Sequence, residues 1–124
     1  LKSVIKKLKN KGIRTSVFIN PEINMVNGAH SVGADRIELY TEPYALKYGI
    51  DRDLAIKPYI EASRKANDLG LGINAGHDLS LENIEFFSKN ITDLLEVSIG
   101  HALICESLYL GLENVIPMYM DKIK

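Results

Sequence analysis

Short apolar runs alternate with longer amphipathic stretches along the whole of this chain. Residues 15–19, 36–40, 72–75 and 94–99 are the compact runs, and their length and flanking turn residues predict strands. The stretches between them carry apolar residues at helical spacing. Residues 2–9 form one such stretch. Pro21 starts a second over 22–31, because proline suits a first helical turn. Asp51 or Asp53 caps a third that runs to Leu69, with Leu54, Tyr59, Ile60, Ala62, Ala66 and Leu69 near one face. Pro58 falls inside it, so the regular helix is expected to begin near Lys57, after an irregular turn. Ser80, Glu82 and Asn83 open a helix over 81–88, and 102–108 reads as a short one. The last covers 112–123, with Pro117 expected to bend or interrupt it. Residues 41–50, rich in Tyr and Pro, read as a loop that reaches a ligand or a neighbouring subunit.

Gly12, Gly33 and Gly70 each close a helical stretch just before an apolar run. Glycine there supplies the left-handed backbone that turns a chain back sharply. The order is therefore one helix, then strand and helix four times over. Such alternation predicts a parallel sheet with helices outside it, either a (β/α)8 barrel or a doubly wound sheet. Four units make half a barrel and would leave two open sheet edges. The chain starts at Leu1 in what already reads as helix interior, which predicts a segment of a longer protein.

Composition narrows the function classes. Hydrophobic residues make up 46% and charged residues 25%, as in an ordinary globular domain. The net charge is −1, so neither a nucleic-acid surface nor a membrane-binding basic patch is expected. The lysines from Lys2 to Lys11 read as one solvated helix face. Cys105 is the single cysteine, which fits a reducing, cytoplasmic setting. No apolar run approaches the roughly 20 residues that span a bilayer.

In parallel α/β folds, chemistry gathers at the carboxyl ends of the strands. His77 follows the third run directly, in Asn74-Ala75-Gly76-His77, where an imidazole can move a proton near neutral pH. Gly100 and His101 open a helical stretch after the fourth run, and free N–H groups at such a start hold anions. Glu38 shares a strand face with Arg36 and Tyr40. It is either ion-paired to a basic residue or used in the site. His30 lies at a helix end, away from the strand ends, and the three histidines lack metal-ligand spacing. No Gly-x-Gly-x-x-Gly or Walker-type loop is present, so no nucleotide cofactor is expected.

Taken together, four stretches resemble the pyridoxine 5′-phosphate synthase family of vitamin B6 biosynthesis. They are Ser16-Val17-Phe18-Ile19, Ile37-Glu38-Leu39-Tyr40-Thr41-Glu42-Pro43-Tyr44-Ala45, Gly72-Ile73-Asn74-Ala75-Gly76-His77-Asp78-Leu79 and Ser98-Ile99-Gly100-His101-Ala102-Leu103-Ile104. The resemblance covers nearly the whole chain and implies that residues 1–124 are the carboxyl-terminal half of a single (β/α)8 barrel domain. It implies condensation of 3-amino-2-oxopropyl phosphate with 1-deoxy-D-xylulose 5-phosphate, without a cofactor. His77 would be the proton donor, and Glu38 would stabilise charge on condensing intermediates. The Asp78 backbone would touch the aminoketone phosphate, and Gly100 and His101 would hold its phosphate. The family also implies an octamer, and general bases in the amino-terminal half, so these residues alone are expected to be inert. Asp78 and Glu42 stand where the family often has glycine, and Tyr40 where it often has histidine.

Two other functions compete on residue grounds. A different phosphate-binding barrel, such as an isomerase or aldolase, is one. An aldolase needs a strand-end lysine, whereas Lys47 and Lys57 fall in loop or helix. A non-catalytic α/β module that binds a phosphorylated ligand is the other.

Overall fold

The computed structural model describes residues 1–123. The elements follow the predicted alternation with one added helix, α3: α1 (Lys2–Lys9), β1 (Ser16–Ile19), α2 (Ile23–Ser31), β2 (Arg36–Tyr40), α3 (Glu42–Tyr48), α4 (Arg52–Asp68), β3 (Gly72–Gly76), α5 (Ile84–Asn90), β4 (Leu94–Ser98), α6 (His101–Leu110) and α7 (Leu112–Lys122). All strand pairs are parallel, and the sheet order is β1-β2-β3-β4. A doubly wound sheet reverses its order at a switch point, and this one does not. Sequential order with helical crossovers is the arrangement of consecutive units in a (β/α)8 barrel. Among the described residues no helix is long and apolar enough to cross a membrane.

The three glycine stops share one mechanism. Gly12, Gly33 and Gly70 have φ of 73°, 82° and 70°. In each case the next residue donates its N–H five residues back: Ile13 to Leu8 (3.1 Å), Ala34 to Ala29 (3.2 Å) and Leu71 to Ala66 (2.9 Å). This bond satisfies a helix-end carbonyl and delivers the chain into the following strand.

Side chains alternate across the strands. Ile37, Leu39, Ile73 and Ala75 face the helices and are fully buried against residues such as Val26, Tyr59, Ala62 and Phe87. Burial of each larger apolar side chain contributes about 1.5–3 kcal/mol. The opposite, inner face carries Phe18, Arg36, Glu38, Tyr40, Asn74 and Glu96. Phe18 there is 55% exposed.

Helix boundaries differ from expectation at three prolines. Residues 41–50 are not a loop: α3 occupies most of the segment, with Pro43 in its first turn, where a missing N–H costs nothing. Its Tyr44 is fully buried in an aromatic cluster with Tyr59 and Phe87, so this part of the segment faces the core. Helix α4 starts at Arg52 and runs through Pro58 without an irregular turn. Asp51 is the cap, accepting from the Leu54 N–H at 2.9 Å. Leu54, whose carbonyl loses its partner to Pro58, is 62% exposed, so water can take that bond. Pro117 likewise lies within α7 without ending it. Helix α5 begins at Ile84 rather than Leu81, because residues 81–83 form a turn first.

Candidate active site

The carboxyl ends of β2, β3 and β4 surround an open cleft of about 510 Å³. Glu38, His77, Asp78, Gly100 and His101 all line it, together with Phe18, Ser98 and Ile99. Residues as far apart in sequence as Phe18 and His101 thus meet on one surface. Strand register accounts for it: Tyr40 pairs with Gly76 and Gly76 with Ser98, which levels the three strand ends. Lys47 lies on α3 and Lys57 on α4, and neither lines the cleft.

Glu38 is not the partner of Arg36. A bulge between Ile73 and Asn74 skips Leu95 and sets Glu96 opposite Asn74. Glu96 therefore takes the arginines: Arg36 Nη1 lies 2.8 Å from its Oε1 and Arg14 Nη2 3.2 Å. Asn74 completes the network, accepting from Arg36 at 3.1 Å and donating to Glu96 at 3.1 Å. Desolvation opposes charge on Glu96, but its bond to Arg36 and the two guanidinium charges outweigh that and hold its carboxyl below the ordinary range. Glu38 is left with no ion pair among the described residues, its carboxylate turned to the cleft. Oε1 lies 2.6 Å from where a β-carbon on Gly76 would stand. Glycine at 76 is required for that approach.

The chain after Gly76 is strained. His77 and Asp78 have φ of 91° and 58°, in the left-handed region where non-glycine residues cost about 1–3 kcal/mol each. Three buried groups hold it. Thr41 Oγ1 donates to the His77 carbonyl at 2.5 Å, and Asn83 Nδ2 donates to the Asp78 carbonyl at 3.2 Å. Tyr44 in turn donates its hydroxyl to the Asn83 carbonyl at 2.7 Å. Burial pushes the Tyr44 phenol well up, so it remains a donor. The imidazole of His77 rests edge-on against Tyr40, with ring centroids 5.1 Å apart. Its Nδ1 faces the Asp78 carboxylate at 3.3 Å. The other ring nitrogen remains available to a reacting group.

Across the cleft, Gly100 precedes α6, and the first helical residue is His101 rather than Ala102. The first N–H groups of a helix have no partner within it, so they can receive an anion. A β-carbon on Gly100 would meet nothing within 4 Å. Sequence reasoning missed Thr41, Tyr44 and Asn83 as supports of the histidine loop. Thr41 and His77 are 36 positions apart, and nothing local to either marks their contact.

The cleft thus offers an imidazole, a carboxylate with no ion pair among the described residues and a helix start with free N–H groups. Relatives are similar over the segment that contains it. The pyridoxine 5′-phosphate synthase of Flavobacterium johnsoniae is 59% identical over 124 residues, which are 100% of this chain and 52% of that protein. That of Cytophaga hutchinsonii is 56% identical, with coverage of 100% and 52%. That of Parabacteroides distasonis is 55% identical over 119 residues, 96% of this chain and 50% of that protein. The chain spans about half the length of the curated relatives it matches. A family model described as pyridoxal phosphate biosynthesis protein PdxJ matches residues 1–124, and the chain belongs to that family.

Proposed function

We propose that these residues are the carboxyl-terminal half of a single (β/α)8 barrel whose whole is a pyridoxine 5′-phosphate synthase. The reaction joins 3-amino-2-oxopropyl phosphate to 1-deoxy-D-xylulose 5-phosphate and releases pyridoxine 5′-phosphate, phosphate and water. The observation that carries this reading is the meeting of His77, Glu38 and the Gly100–His101 helix start around one cleft at the strand ends. His77 gives protons to departing oxygens, a task suited to an imidazole. Glu38, unpaired beside it, offsets positive charge that develops as amine and carbonyl condense. The Asp78 backbone meets the aminoketone phosphate. Gly100 and His101 receive its phosphate on N–H groups that the helix leaves free.

The open edges of β1 and β4 and the exposed inner face around Phe18 support a second set of strands closing the barrel. The general bases belong to that other half. An octameric assembly in the cytoplasm is part of the same reading.

The test is His77→Ala in the full-length protein, assayed for pyridoxine 5′-phosphate. Loss of general acid catalysis lowers turnover by roughly 10²–10⁴-fold while substrate binding is largely kept. Near-normal turnover by that variant would sink the proton-donor role.

A further inference from the structure

Helix α6 carries one wall of the cleft at its start, yet none of its residues is buried. Its apolar attachment is slight: Leu103 packs at the margin of a small cluster formed by Ile84, Val115 and Tyr119. Apolar contact is non-directional and resists sliding or rotation of a helix poorly. Directional restraint comes at two points: Asn114 on α7 donates to the Leu110 carbonyl at the far end of α6 at 2.7 Å, and Glu106 holds the middle of the helix. Among the described residues, Glu106 is the one α6 side chain that hydrogen-bonds to another element. Its Oε2 accepts from the Tyr119 hydroxyl on α7 at 2.5 Å, and its Oε1 accepts from the Leu81 N–H at 3.2 Å. Tyr119 is only 4% exposed, so that end of the link is fixed in packed surroundings. Leu81 follows the histidine loop, and the adjacent Ser80 N–H is bound to Asn83, the residue that also holds the Asp78 carbonyl. One carboxylate therefore joins the helix bearing His101 to the loop bearing His77.

We propose that Glu106 is a positioning residue that fixes the first turn of α6 against the His77 loop, so that an anion held at Gly100 and His101 stays in reach of His77. Which phosphorylated substrate is held rests on the synthase reading; the restraint itself does not. Bonds to an ionised acceptor are stronger and more directional than neutral ones, and one carboxylate with two donors sets both distance and rotation.

The experiment uses the full-length protein with Glu106→Ala, Glu106→Gln and Tyr119→Phe, and inorganic phosphate as the probe. Phosphate affinity is measured by calorimetry, and hydrogen exchange is followed in peptides covering 79–82 and 100–104. In Glu106→Ala, phosphate binding weakens roughly tenfold and both peptides exchange faster. Glu106→Gln keeps an acceptor and recovers most of the affinity. Tyr119→Phe keeps the ring packing and shows a loss of roughly threefold. In turnover, KM for the phosphorylated aminoketone rises more than kcat falls. A purely structural role would lower the folded fraction but leave the affinity of folded protein unchanged. Wild-type affinity and exchange in folded Glu106→Ala, or in Tyr119→Phe if the alanine variant does not fold, overturn the proposal. So does a wild type that binds no phosphate. A wild type that binds phosphate but forms no pyridoxine 5′-phosphate overturns the synthase reading instead, and the Glu106 comparison still stands.

Discussion

The Glu38 carboxylate lies over the backbone of Gly76, with Oε1 2.6 Å from the position a β-carbon there would take. The same β-carbon would stand 2.9 Å from Cβ of Ser98 on the next strand. Residue 76 is thus a glycine because two neighbouring strands close over it, and its backbone angle is an ordinary one.

Gly76→Ala should therefore displace Glu38 and press β3 away from Ser98 on β4. Overpacking of this kind costs about 1–3 kcal/mol, visible as a lowered unfolding midpoint. Activity of the full-length protein should fall roughly tenfold or more, since the carboxylate moves from its place in the cleft. Unchanged kcat in a folded Gly76→Ala variant would show that the position of Glu38 does not matter.

Thr41→Val keeps the shape of the side chain but removes its bond to the His77 carbonyl. Loss of this part-buried bond costs about 1 kcal/mol. The cost falls on a segment already held at positive φ, so relaxation of the His77 loop is the expected response. Hydrogen exchange in residues 76–80 should quicken and kcat should drop, while Thr41→Ser restores both. Equal exchange in Val and Ser variants would refute the role of the hydroxyl.

At the opposite end of the sheet, Asp35 ties α1 to β1. Lys9 Nζ lies 2.8 Å from its Oδ1, and the Thr15 N–H and hydroxyl each donate to its Oδ2 at 2.8 Å. These bonds, the Lys9 bond first, lower its carboxyl from an ordinary 3.8 to about 2. The folded value is below the unfolded one, so the stabilisation is complete above pH about 4 and is lost as pH falls towards about 2. Partial exposure and salt screening reduce the contribution to about 1 kcal/mol. In Asp35→Asn, the gap in stability from wild type should be largest near neutral pH and shrink across that window. A gap that does not change with pH would place the effect in packing.

Residues 1–124 produced alone should form no pyridoxine 5′-phosphate, because the proposed general bases lie in the other half of the barrel. Mixing or co-expressing that half should restore activity if the two associate. Turnover by the purified segment by itself would overturn the half-barrel reading.

Much of the architecture was legible along the chain. The three glycines that stop helices act through local backbone bonds, and the apolar runs between them became the four strands within a residue at either end. Pro58 was misjudged, because its cost depends on where the orphaned carbonyl points. Leu54 faces water, which a linear reading cannot know. The candidate residues for catalysis were legible because parallel α/β folds place polar side chains at strand ends, and Glu38, His77 and His101 all stand there.

What holds those residues was not legible. Whether Glu38 pairs with an arginine depended on a bulge that brings Glu96 to Arg36 instead, and a skipped residue in one strand leaves no sequence mark. Thr41, Tyr44 and Glu106 act across long sequence separations through one or two hydrogen bonds each. Sequence by itself determined the order of elements apart from α3, the sharp turns and the candidate groups, since each depends on neighbours within a few residues. Tertiary structure alone decided which carboxylate is free and what holds His77 and His101 in place. Those outcomes depend on strand register and on which buried donor reaches which acceptor.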